Sequence, residues 1–240
     1  MQLPQPDEII VVDDGGAEDL AKILAPFSGV RILRQDNRGL AAARNLGLAN
    51  AGSDKIIFLD ADDRLLSGAI SAGLECFGDH PSAAFVYGGF EEISGGGTEV
   101  RFKLMHDRRD LLRCNWVAMI GTAMFDRRKL LVMGGFDETL GMCEDWDAYL
   151  RLSRDHGFAC HPRIVARYRK HGANMSDDVP QLRRWIDEVR SRELRRGLKP
   201  SEWVPWLQGS HIRDFYFATP RKRSVFEKAH RRLSRALLGL

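Results

Sequence analysis

Phe58-Leu59-Asp60-Ala61-Asp62-Asp63 is the stretch whose reading decides the fold of this 240-residue chain. The apolar run from Ile56 to Leu59 stops abruptly in carboxylates. A buried strand ending in acidic side chains suits a hard divalent cation, which takes oxygen ligands and bridges a carboxylate to a substrate's phosphates. A second run, Ile9-Ile10-Val11-Val12, ends the same way in Asp13-Asp14-Gly15-Gly16. Continuous β-branched runs predict parallel strands buried on both faces. Their tips would share one edge of a sheet, where open α/β folds bind ligands. Between them, Asn37 to Gly47 predicts a helix with Gly39 near its start and Arg44 within reach of a phosphate or base. The plainer alternatives are a solvated acidic turn and an exposed helical arginine.

Further blocks follow in order. They are Gly134-Gly135-Phe136-Asp137-Glu138, Glu144-Asp145-Trp146-Asp147, and Tyr168-Arg169-Lys170-His171-Gly172-Ala173-Asn174-Met175-Ser176. With Glu8 to Gly15, Asn37 to Gly47 and Phe58 to Asp63, their sequence and spacing resemble an inverting family 2 glycosyltransferase over roughly residues 7–178. The resemblance implies the GT-A fold: an α/β nucleotide-diphospho-sugar transferase with a mixed, mainly parallel sheet flanked by helices. A helical appendage would follow at the C-terminus. With the basic charge and helical signals of the tail, the expected domains are 1–180 (transferase) and 181–240 (basic helical extension).

Site roles follow from the same resemblance. Asp13 and Asp14 would lie at the donor, with Asp14 accepting from a uracil ring. Arg44 would lie near the nucleotide, and Asp60 on the ribose side. Asp62 would ligate Mn²⁺ or Mg²⁺, and His171 would sit by the metal or the diphosphate. Asp145 would be the general base. The chemistry needs these types: a cation offsets charge growing on the leaving diphosphate, and a base takes the acceptor hydroxyl's proton. Trp146, Tyr149, Leu150 and Leu152 have helical spacing, which predicts a helix beginning near Glu144. A first-turn carboxylate is favoured by the helix dipole, so Asp145 is expected to stay ionised. Capping is the plain alternative for Asp145, and a surface position for His171.

Two departures from the family stand out. Members normally begin with a strand and helix before the Glu-Ile-Ile-Val-Val-Asp-Asp strand, and here only Met1 to Pro6 precede it. A start placed too late, a truncated gene and a separate chain supplying the strand are the alternatives, and truncation is the favoured expectation. Gly16 stands where a Ser is usual. Two other classes stay open: a transferase-like binding protein without catalysis, and a nucleotidyltransferase, which also uses paired carboxylates and a metal.

The net charge is +3, unevenly spread: residues 181–240 hold 15 Lys/Arg against 6 Asp/Glu. Gln181 to Arg196 predicts a helix stopped by Gly197 and Pro200. Residues 221–240 predict a basic amphipathic helix suited to an anionic membrane surface. The expected partners are thus a nucleotide sugar, a glycan or lipid-linked acceptor and the cytoplasmic leaflet. No nucleic acid is expected, because no recognised binding motif accompanies the charge. Cys76, Cys114, Cys143 and Cys160 form no Cys-x-x-Cys pair, and reduced thiols in a cytoplasmic protein are the simplest reading. Ser94 to Thr98 predicts a turn between strands. Met119 to Phe125 predicts a strand, and Arg127 to Met133 a short helix ending at Gly134-Gly135. Phe102 to Asn115, with His106, Arg108 and Arg109, is expected to be irregular and to face the acceptor.

Overall fold

A computed structural model of the chain describes residues 4–172 and 174–216. The Arg221–Leu240 helix expected above lies outside them. Eight strands and eight helices alternate along the described residues. Strand β1 (Ile9–Asp14), helix α1 (Leu20–Leu24), strand β2 (Val30–Gln35) and helix α2 (Leu40–Asn50) open the chain. Strands β3 (Lys55–Ile57) and β4 (Arg64–Leu65) flank the acidic stretch, and helix α3 (Ala69–Asp79) follows. Next come β5 (Phe85–Ser94), β6 (Gly97–Arg101), α4 (Arg108–Arg113), β7 (Ala123–Asp126) and α5 (Arg127–Val132). Helix α6 (Glu144–Asp155), strand β8 (Phe158–Arg169), and helices α7 (Val179–Arg195) and α8 (Trp203–Tyr216) complete it.

The strands form two sheets. β1 and β2 pair in parallel. The larger sheet runs β3-β7-β5-β8-β4, with β6 hairpinned onto β5 through Gly95 and Gly96. The sheet system is mixed, as expected, but its parallel share is smaller: β1–β2 and β5–β8 are parallel, and the other four ladders are antiparallel. The two acidic strand tips do not share one hydrogen-bonded sheet, because no described ladder joins β1 to β3. Nor is β1 buried on both faces. Ile9 is 46% exposed, and Ile10, Val11 and Val12 are half-buried. An apolar β-branched run reports strand propensity, and its burial depends on what lies beside it.

The core explains how the site is held. Phe58 meets Phe136 edge-on, with centroids 4.9 Å apart. Phe125 stacks on Tyr149 at 5.7 Å, and Phe85 on Phe158 at 5.0 Å. Such pairs each add about 0.5–1.5 kcal/mol beyond burial. This aromatic layer joins the residue before the acidic tip (Phe58), the Gly-Gly-Phe block (Phe136) and the Glu-Asp helix (Tyr149). Helices α7 and α8 pack on the same core: Val189 is fully buried, with Trp185, Ile186 and Trp206 against the cluster.

Residues Phe102 to Asn115 are not wholly irregular, since α4 lies within them. Asp107 caps it, accepting from the Arg109 N–H at 2.8 Å. Arg108 does not face an acceptor. It is buried against Glu193 and Glu202, with its Nη1 on Ser153 Oγ at 3.0 Å. Amphipathic helix signals fade in a six-residue helix, which is why the sequence pattern was silent. Part of the expected Met119–Phe125 strand is a 3₁₀ turn, Ile120–Thr122.

Candidate active site

Helix α2 gathers the site. At its entrance, the Asp14 carboxylate accepts from the Arg38 N–H at 2.8 Å, the Gly39 N–H at 2.9 Å and Gln35 Nε2 at 2.7 Å. Burial alone would raise its pKa, and these bonds outweigh that and lower it. Asp13 turns inward: it accepts from the Gly16 N–H at 2.8 Å and meets Arg34 at 3.4 Å. Gly15 sits at φ +80°, and a Cβ there would come within 2.8 Å of the Asn37 nitrogen. Only glycine lets β1 turn this close to the loop before α2.

Just over one turn into α2, Arg44 is buried and forked. One arm reaches Asp60 Oδ1 at 2.7 Å, and the other pairs with buried Glu144. Its guanidinium also lies 5.7 Å from the Phe136 ring centroid. Arg44 therefore does not project freely toward a ligand. It ties the acidic tip after β3 to the start of α6. Burial opposes its charge, but Glu144 and Asp60 more than compensate and raise its pKa. Its neighbour Asn45 spans the next block: Nδ2 donates to the Phe136 carbonyl at 2.9 Å, and Oδ1 accepts from the Phe136 N–H at 2.8 Å.

Asp62 and His171, 109 residues apart, meet with Oδ2 and Nε2 2.9 Å apart. Both side chains are about one-third exposed, at 35% and 38%. Asp63 draws the two segments together by accepting from the Arg169 N–H at 3.1 Å. Burial first, and then the charges of Asp62 and Asp60, push the Asp63 pKa up to about 6, against that hydrogen bond. Among the described residues no group of three or more His, Cys, Asp or Glu side chains is placed to hold a metal. Asp62 and His171 supply one oxygen and one nitrogen donor. A divalent ion there would have to take its remaining ligands from phosphates and water.

Asp145 lies in the first turn of α6. It keeps a partial opening to solvent, but dense packing desolvates its carboxylate, and that burial with the adjacent Glu144 pushes its pKa up to about 7. Arg44, the Trp146 N–H at 2.6 Å and Asn115 oppose the rise without cancelling it. The helix dipole alone does not keep this acid at ordinary strength, because desolvation and a like charge exceed a first-turn effect. Cys143, just before it, has φ +63°, a strained conformation for a non-glycine residue that clusters at functional sites.

Two overlapping family models cover the segments that supply these residues. Residues 1–143 match the family model described as Glycosyl transferase family 2, and residues 100–199 match Glycosyltransferase like family 2. The chain belongs to glycosyl transferase family 2. Chondroitin synthase from Escherichia coli is 30% identical to this family 2 glycosyltransferase over 87% of the chain and 31% of its own length. Among solved structures, S. aureus TarS 1-349 in complex with UDP-GlcNAc matches with a TM-score of 0.67 at 14% identity, over 88% of this chain and 64% of that one. The mannosyltransferase PcManGT from Pyrobaculum calidifontis, in complex with GDP-Man and Mn²⁺, matches with a TM-score of 0.63 at 17% identity, over 87% and 62%. The chain thus spans about a third of the chondroitin synthase and less than two thirds of each of these structures. The fold is the GT-A fold.

Sequence reading missed several residues that build this glycosyltransferase site. Glu144 was overshadowed by its neighbour. Asn45 and Phe136 lay inside matched blocks without a role. Asn115 carried no signal, because its place beside Asp145 is made by tertiary packing.

Proposed function

We propose that this family 2 enzyme transfers a sugar from a nucleotide-diphosphate donor, uridine-linked, to an acceptor hydroxyl with inversion. Asp145 is the general base. The observation that carries the reading is the Arg44 fork, which brings the Asp60–Asp62 tip and the Glu144–Asp145 helix start into one cluster. A carboxylate that titrates near neutrality suits proton transfer, being ionised enough to accept a proton and basic enough to hold it. Asp14 has roughly four acceptor directions, and the loop uses three of them. The remaining one suits a uracil N–H. Asp13 acts through the turn it holds. Asp62 and His171 would hold Mn²⁺ or Mg²⁺, which when bound offsets negative charge on a leaving diphosphate. Asp60, fixed by Arg44, faces the ribose side.

The acceptor on this reading is a glycan or a lipid-linked glycan in cell-surface polysaccharide synthesis. The basic residues 221–240 would seat the enzyme on the cytoplasmic leaflet. No helix of the described residues is long and apolar enough to cross a membrane. A second reading, donor binding without transfer, is favoured by β1 being hydrogen-bonded on one side only in the described structure.

Calorimetric titration with UDP, with and without Mn²⁺, tests the donor site. Metal-dependent binding that Asp62→Ala abolishes is the expected result. Equal binding by wild type and Asp62→Ala would remove Asp62 from the site. Sugar release from UDP-sugars then separates transferase from binder.

A further inference from the structure

Asn115 stands beside the base and has no role in the steps above. It follows α4, which is fixed by buried Arg108 and by Arg190 Nη1 on the Leu112 carbonyl at 3.1 Å. Its Nδ2 lies 3.5 Å from Oδ1 and 3.4 Å from Oδ2 of Asp145. An ionised carboxylate only accepts, so the amide presents its N–H side to both oxygens. Its own Oδ1 is buried with no hydrogen-bond partner among the described residues. A buried orphan acceptor destabilises a fold, whereas an apolar side chain of the same shape does not. The chain therefore keeps an amide with one orphan acceptor at this place, and its donor side faces the proposed base.

We propose that Asn115 is a positioning residue for Asp145: its amide fixes the plane of the carboxylate and favours the ionised form that takes the acceptor's proton. The proposal rests on the general-base reading above. Other groups facing Asp145 are Cys143 just before α6, Glu144 and Tyr149 from α6, and Arg44 from α2, with Asp60 paired behind Arg44. Burial first, and then Glu144, work against ionisation. Arg44, the Trp146 N–H and Asn115 work for it. Without Asn115 the balance tips toward the protonated acid.

Carbon-13 titration of the Asp145 carboxyl, its resonance identified with Asp145→Asn, needs only the protein. Asn115→Leu should raise the midpoint by roughly half to one pH unit, the size of one hydrogen bond. Its melting temperature should equal or exceed wild type. Asn115→Asp, which sets a second carboxylate beside the base, should raise the midpoint further. Asn115→Gln should recover part of the shift. An unchanged midpoint in both Asn115→Leu and Asn115→Asp overturns the proposal. So does a fallen melting temperature with an unmoved midpoint, the signature of a purely structural residue. UDP release from UDP-GlcNAc into water, run on Asp145→Asn, tests the parent reading separately. Full release by that variant removes the base assignment itself, whatever Asn115 does to the titration.

Discussion

Asp145 shows at the level of one residue how burial weakens an acid, which is what the base role proposed for it requires. Its pKa is raised from 3.8 to about 7 by desolvation and Glu144. The reactive form is the ionised one, so turnover should climb as pH rises through about 7 and level off above it. Stability runs the other way. Between the two pKa values the folded chain binds the proton more tightly than the unfolded chain, so stability falls as pH rises from about 4 to 7. Asp145→Asn should therefore melt higher than wild type at pH 8, with the gap closing toward pH 4. It should keep UDP binding and lose transfer by about a hundred- to ten-thousandfold. Melting curves at the two pH values and a donor-release assay check both halves. A variant that melts lower at pH 8 would contradict the desolvation argument.

At the level of elements, the matched blocks work as a set because side chains of one lace the backbone of another. Asn45 of α2 holds Phe136 by both its N–H and its carbonyl. Arg151 of α6 donates to the Gly135 carbonyl at 2.6 Å and to Asp147 at 2.7 Å. Gly135 takes φ +69°, and a Cβ there would lie 2.4 Å from Asn45 Oδ1. Gly135→Ala should thus lose at least about 1–2 kcal/mol from the left-handed backbone alone. The clash with Asn45 adds to this. Denaturant unfolding should show a lower midpoint at unchanged slope. A variant as stable as wild type would mean that the loop relaxes away from α2.

Across the whole molecule, a buried charge network binds the C-terminal helices to α6. Glu193 of α7 is fully buried. It meets Arg108 of α4, Arg154 of α6 at 2.6 Å, and Arg196 at 3.4 Å. Arg196 in turn reaches Asp147 of α6 at 2.7 Å. Deleting Glu193 takes one of two carboxylates from buried Arg108 and strips Arg154 of its ion pair, which is costlier than the intact network is favourable. Glu193→Ala should cost about 3–5 kcal/mol in unfolding free energy. A loss below about 1 kcal/mol would mean that water reaches Arg108 once the carboxylate is gone.

By itself the sequence determined the alternation of strands and helices, the acidic strand tips, the start of α6 at Glu144 and the stop of α7 near Gly197. These depend on neighbours within a turn or two: apolar periodicity, caps and glycine. The site blocks were legible because each is a short run of unusual residue types. Only the tertiary structure decided that Arg44 is a buried brace, that His171 meets Asp62 across 109 residues, and that Asn115 faces Asp145. It also decided that Arg108 belongs to the core rather than to an acceptor surface. A charged side chain's role depends on its solvent exposure and on which opposite charge stands beside it. Both are set by contacts between distant segments, to which local spacing is blind.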